Sequence, residues 1–212
     1  MPEKRRTRHP HRHRKGHHMG LLESATAGPV GQLLGMAVWG QQFLGWRFTL
    51  ATASRVTHVG GHLCAEFAGT GLFAAIIKLS SPTSLPAFDP RLITTSPYTL
   101  AHLLFIPSSP SSQLLVPLSA PLVLQPGTYG LVFGGGDTAI VQNPYTPFGA
   151  TGTGVMPTNN SDLPSSTYFF GDQVRWNALA PSNNNLRFAV TLEAIGKGDT
   201  TPPAPPTGLR IS

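Results

Sequence analysis

Three stretches of this sequence place together residue types that can do chemistry. The first is Val56-Thr57-His58-Val59-Gly60-Gly61-His62-Leu63, with two histidines four positions apart. On a helix they would share a face, as in zinc hydrolases, but no Glu follows His58 and no helical period surrounds the pair. On a strand, positions i and i+4 also share a face, yet lie about 13 Å apart. One ion cannot span that unless Gly60-Gly61 bulges the chain. The spacing therefore reads as structural histidines, with the glycine pair marking a bulge or a close backbone approach. The second stretch is Gly134-Gly135-Gly136-Asp137. A glycine-rich turn cradles phosphate where it feeds a helix N-terminus, but here strand-like runs flank it and no Lys follows. It reads as a hairpin or loop.

The third stretch, Asn143 to Ser166, is long, almost uncharged and rich in Gly, Thr and Asn. Loops of that length without secondary structure are usually functional or disordered. Asn159, Asn160 and Asp162 offer the oxygen ligands calcium takes, with Asp137 or Asp172 to complete a set. The metal set expected here is Asp137, Asn159 and Asp162, with Ca2+ as the cofactor. The same amides and acid beside Tyr145, Tyr168 or Trp176 suit a sugar, with polar groups for hydroxyls and a ring for an apolar face. Trp176, between Arg175 and Asn177, is the candidate exposed platform, whereas Trp46 follows the inward parity of its run. The plain alternative is an Ω-loop packed by its own aromatics. Catalysis has little to stand on. Glycosidases need paired carboxylates, and Glu23, Glu66, Asp89, Asp137, Asp162, Asp172 and Glu193 are scattered. No G-x-S-x-G nucleophile elbow occurs. The chain is expected not to be an enzyme.

Charge is distributed very unevenly. The chain has 212 residues, 15 Lys+Arg and 9 Asp+Glu, for a net of +6. Residues 1–20 hold seven of the bases and one acid, which leaves eight of each in the rest. The body is thus electrically neutral and excludes a basic nucleic-acid surface. The tail is different. Arg5, Arg6, Arg8, Arg12, Arg14 and Lys15, among five histidines, would bind polyanions non-specifically and with strong salt dependence. It reads as a disordered leader, extended upstream of the body. No apolar run reaches the ~18–20 residues of a membrane helix, and no standard signal peptide is evident. The single cysteine, Cys64, allows no internal disulfide and sits in an apolar run as a small buried hydrophobe.

The elements that would position these residues read as strands. Trp46, Phe48 and Leu50 alternate with Arg47 and Thr49. Tyr129, Leu131 and Phe133 alternate with smaller residues, and Phe188, Val190 and Leu192 alternate with polar or small ones. Leu72–Leu79 is apolar on both parities, as in a strand buried on both faces. Gln113–Leu118 and Leu122–Leu124 read as two short strands divided by Pro117 and Pro121. Residues 21–40 read as a lead-in with a first edge strand. Roughly eight to ten short strands with turn signals between them predict an all-β fold, a two-sheet β-sandwich with jelly-roll-like connections. The expected organisation is a tail over 1–20, the sandwich over 21–195, and a Pro-rich linker with a further segment over 196–212.

Four segments taken together resemble a known group. They are Gln42-Phe43-Leu44-Gly45-Trp46-Arg47-Phe48, the Val56–Leu63 run, Pro126-Gly127-Thr128-Tyr129-Gly130-Leu131-Val132-Phe133-Gly134, and Phe148-Gly149-Ala150-Thr151-Gly152-Thr153-Gly154-Val155-Met156-Pro157-Thr158-Asn159-Asn160. They resemble uncharacterised secreted bacterial proteins of the kind that carry a PEP-CTERM sorting signal, over roughly residues 40–193. That resemblance implies an extracellular β-sandwich and carries no activity with it. The run Thr200–Ser212 resembles the opening of a fibronectin type III domain, which implies further modules downstream. The expected function is a non-catalytic binding or adhesion module of a modular bacterial surface or secreted protein, with polysaccharide or other surface glycans as partners. The competing expectation is a self-assembling structural subunit (matrix, filament or capsid-like) whose tail binds polyanions, nucleic acid included. A secreted hydrolase ranks below both.

Overall fold

The computed structural model describes residues 19–26, 35–65, 71–107, 112–136, 154–159, 167–172, 174–179 and 185–195. The chain is an all-β sandwich of two antiparallel sheets. Sheet A runs β1 (Met19–Glu23), β13 (Phe188–Ala194), β4 (Ser54–Ala65), β9 (Gly154–Asn159), β12 (Asn185–Leu186). In the same sheet β7 (Ser112–Leu124) pairs with β4, and β2 (Gly35–Val38) pairs with β9. Sheet B runs β11 (Trp176–Ala178), β10 (Tyr168–Gly171), β3 (Phe43–Leu50), β8 (Gly127–Gly136), β5 (Gly71–Leu79), β6 (Thr99–Phe105). The thirteen strands among the described residues exceed the expected eight to ten because β1, β2, β11 and β12 are pieces of two to five residues, too short to show a period. No helix among the described residues is long and apolar enough to cross a membrane.

Alternation on the long strands builds the inner core. Leu44, Trp46, Phe48 and Leu50 of β3 and Tyr129, Leu131 and Phe133 of β8 face Val56, Val59 and Leu63 of β4 and Phe188 and Val190 of β13. Phe188 sits at the centre of the aromatic packing. Its ring centroid lies 5.3 Å from Phe133, 6.0 Å from Tyr168 and 6.3 Å from Trp46, all stacked. Cys64 is buried as expected.

Sheet B is buried on its other face as well. Phe43, Phe73, Ala75, Ile77, Leu79, Val132, Phe169 and Trp176 form a second cluster, closed by Leu85, Phe88 and Ile93. Those three come from residues 80–98, the connection between β5 and β6, which lies across the sheet as a strap. Two glycines let the aromatics lie flat beneath it. A Cβ at Gly45 would stand 2.2 Å from the Phe169 ring, and one at Gly134 would stand 2.1 Å from Phe73.

One expected pair of strands is a single strand. β7 runs unbroken from Ser112 to Leu124 through both prolines, because among the described residues it lies at the sheet edge, where a missing N–H costs no ladder bond. Its register jumps: Leu122 stands opposite Val56 and Pro117 opposite His58, so residues 118–121 bow out against Thr57 alone.

Replacing Phe188 with Ala should remove about 3–5 kcal/mol of stability, the usual effect of truncating a fully buried aromatic ring. Denaturant unfolding followed by tryptophan fluorescence measures it; a loss below about 1 kcal/mol would contradict this packing.

Candidate functional site

The strap owes its path to local polar bonds. Ser81 and Ser84 bond reciprocally, Ser81 N–H donating to Ser84 Oγ at 3.0 Å and Ser84 N–H to Ser81 Oγ at 3.1 Å. Asp89 then caps the short turn Pro90–Leu92, its carboxylate accepting the Arg91 N–H at 2.9 Å, with Pro90 at the first position, where no N–H is needed. The Arg91 guanidinium also donates to that carboxylate, and these bonds hold the Asp89 carboxyl below its ordinary value. Two side chains from sheet B pin the strap down. Arg47 Nε donates to the Ser84 carbonyl at 2.8 Å, and Trp176 Nε1 donates to the Phe88 carbonyl at 2.7 Å.

Opposite the strap stands the β10–β11 hairpin. The Asp172 carboxylate accepts the N–H groups of Val174 and Arg175, each at 2.8 Å, and Asn177 Nδ2 at 3.1 Å. The two backbone bonds are the main reason its carboxyl is held below the usual range. Between strap and hairpin lies an open concavity of about 400 Å3. Leu85, Pro86, Phe88 and Pro90 line one side, Val174, Arg175 and Trp176 the other, with Asp89 at the strap side. The walls are mostly apolar, and an exposed guanidinium and a carboxylate stand among them. A smaller hollow of about 170 Å3 lies on the other flank of Leu85, lined by Lys78, Leu79, Ser80, Ala87 and Tyr98.

Of the residues expected to bind ligand, Asn159, Tyr168 and Trp176 lie among the described residues, and of these three Trp176 alone borders the concavity. Tyr168 is 2% exposed, and its hydroxyl donates to the Leu186 carbonyl at 2.6 Å, so it belongs to the inner core. Trp176 is 7% exposed, flanked by Phe43, Phe88 and Phe169. It borders the concavity as wall rather than as an open platform. Asn159 lies at the end of β9, paired with Asn185. Asp137, Tyr145, Asn160, Asp162 and the tail bases Arg5, Arg6, Arg8, Arg12, Arg14 and Lys15 lie outside the described residues, as does most of the loop that holds them. Asp172, which could have completed a calcium set, has its carboxylate engaged by its own hairpin.

The two histidines lie on β4, whose irregularity is elsewhere than at the glycine pair. The bulge of β4 lies at Thr57 rather than at Gly60-Gly61, which pair in register with Ala189 and Phe188. The glycines answer a close approach instead: a Cβ at Gly60 would stand 1.7 Å from the Leu114 carbonyl oxygen, and one at Gly61 would stand 2.2 Å from that of Arg187. His58 Nδ1 bonds Thr57 Oγ1 at 3.0 Å. His62 has its Nδ1 buried without a hydrogen-bond partner among the described residues. Burial first, and the neighbouring Arg187 second, push the His62 imidazole below its usual range, while Glu23 opposes them. Glu23 in turn accepts from Arg187 Nε and Gln113 Nε2, both at 2.9 Å. Among the described residues no group of three or more His, Cys, Asp or Glu side chains could hold a metal ion.

The strap escaped the sequence reading, although a signal for it was present. Leu72–Leu79 is apolar on both parities and demands a cover on each face. The run Leu85, Phe88, Ile93, punctuated by Pro82, Pro86 and Pro90, is the segment that follows it. Comparison with protein-family models and with curated proteins gives no match for this chain.

His62 supplies a pH dependence whose sign can be worked out. Its folded value is depressed, so as pH falls below the ordinary 6.5 the unfolded chain takes up a proton that the folded chain resists. Stability should therefore fall with pH through that window and level off below the folded value. Melting temperatures across it, compared between the wild type and His62→Gln, should show a shallower slope in the variant. Equal slopes would mean that His62 carries none of the effect.

Proposed function

We propose that the chain is a non-catalytic extracellular binding module that takes a neutral glycan segment in the strap–hairpin concavity. The observation that carries this reading is the concavity itself. It combines apolar walls for a sugar's ring face with the exposed Arg175 guanidinium for its hydroxyls. Both sides are held by hydrogen bonds, part-buried ones from sheet B to the strap and those of Asp172 within the hairpin, so little ordering is needed on binding. The non-catalytic part rests on how the described carboxylates are used. Glu23 is paired with Arg187, Asp89 with Arg91, Glu193 with Arg55 at 3.6 Å, and Asp172 with its own turn. The extracellular setting rests on the resemblance to secreted bacterial proteins and on the Pro-rich run before a fibronectin-like segment. Calcium, held by Asp137, Asn159 and Asp162, is the cofactor this reading carries.

The test is retention of the full chain on a panel of insoluble neutral polysaccharides at high salt, which suppresses contacts made by the basic tail. Calcium and chelator form parallel arms. Retention on at least one polysaccharide is expected, weakened about tenfold or more by Arg175→Ala at unchanged melting temperature, the usual effect of losing a charged hydrogen-bond donor. Loss with chelator would assign calcium to the bound state. No retention on any of them, or retention indifferent to Arg175→Ala, would sink the glycan reading.

A further inference from the structure

Sheets end in strands whose outer N–H and C=O groups lack a partner, and proteins usually guard such edges with proline, charge, bulges or brevity. Most edges of this sandwich are guarded. β7 carries Pro117 and Pro121 and the bowed residues 118–121. β1 ends in the ion-paired Glu23. β11 has three residues and β12 has two. The edge at β6 is different. Among the described residues it pairs with β5 alone. It has seven residues, Thr-Leu-Ala-His-Leu-Leu-Phe, with no proline and no Lys, Arg, Asp or Glu. A small register shift opposite Ile76/Ile77 leaves Ala101–Phe105 in regular pairing. Its outward row is Leu100, His102 and Leu104, with Ile106 just beyond; the three aliphatic side chains are 37%, 40% and 53% exposed.

The edge strand itself is uncharged, and on the adjoining β5 the one charged residue is Lys78, whose backbone N–H bonds the Tyr98 carbonyl just before β6. Residues 92–136, which contain both β6 and the neighbouring β7, include no Lys, Arg, Asp or Glu. In an antiparallel pair every second residue of the edge strand points its N–H and C=O away from its partner. A ligand for this surface is therefore another strand, extended, uncharged and apolar on alternate positions.

We propose that β6 is the interface through which two copies of this chain pair edge to edge, antiparallel about a two-fold axis, so that sheet B continues from one copy into the next. A second copy fits because β6 is self-complementary. The two-fold sets the Leu100/Leu104 row against itself, satisfies both sets of outward backbone groups, and brings no like charges together. From residue 21 onward bases and acids balance at eight each, so the bodies do not repel at a distance. This inference is independent of the glycan reading, since the concavity and the β6 edge do not share residues.

Analytical ultracentrifugation of the full chain, with amide hydrogen exchange on the same samples, tests it. The wild type should sediment as a concentration-dependent dimer, and the outward-pointing amides of β6 should exchange more slowly as the dimer forms. Leu104→Lys should weaken association about a hundredfold or more, because the two-fold would bring new like charges close together. It should also speed exchange of the outward amides of β6. Val174→Lys, on the remote hairpin, should leave the dimer intact, and wild-type-like circular dichroism with cooperative melting shows that each variant folds. A wild type that stays monomeric at every concentration overturns the proposal, and protected outward amides of β6 in that monomer would mean that the chain covers its own edge. A dimer untouched by Leu104→Lys overturns it equally.

Discussion

A sheet whose middle strands are apolar on both faces has to be covered twice, and the rest of this structure follows from that requirement. β5 and β8 place aliphatic and aromatic side chains on either side of sheet B. Sheet A covers one face. The other would expose Phe43, Phe73, Ile77 and Phe169 to water if residues 80–98 did not cross it. At about 25 cal/mol per Å2 of apolar surface, several such side chains are a large fraction of a domain's net stability. The strap is thus structural before it is anything else. The concavity exists because a covering segment and a hairpin meet without filling the space between them.

Arg47 shows how tightly that cover is fastened. It is a buried cation on the strap side of β3, and burial lowers its proton affinity from the ordinary arginine value. Its Nε bonds the Ser84 carbonyl, and its guanidinium lies 5.3 Å from the centre of the Phe169 ring. A flat, weakly hydrated guanidinium can satisfy a carbonyl and an aromatic face at once, which a lysine ammonium does much less well. Gly45 belongs to the same arrangement, since any side chain there would lift the Phe169 ring off the sheet.

The parts of the fold that were legible beforehand are those where alternation runs long enough to be heard: β3, β5, β8 and β13. Short pairing pieces such as β11 and β12 have no period, and their existence depends on neighbours brought close by the rest of the chain. The prolines of β7 were read as breaks because edge position, which permits them, is a tertiary fact. The candidate site was less legible still. Tyr168 and Trp176 have the right chemistry for sugar platforms, but residue type does not say which face of a strand a ring occupies or whether a strap lies over it. Asp172 has the right chemistry for calcium, but its own turn engages it. Conversely, the two-sided apolarity of Leu72–Leu79 required a cover without saying which segment would supply it.

The pairing of β1 with β13 sets how the sandwich would respond to a pull on its ends. Met19 stands opposite Glu193 and Glu23 opposite Ala189, so the first and last described strands are antiparallel and their free ends leave from the same corner. Tension applied between those ends would not shear the ladder, loading all its bonds together. It would peel the bonds apart one pair at a time, starting at Met19, as a zipper opens. In a string of domains under pull, a unit joined this way gives first. It would lengthen the string at low force while neighbours with shear-loaded termini stay folded.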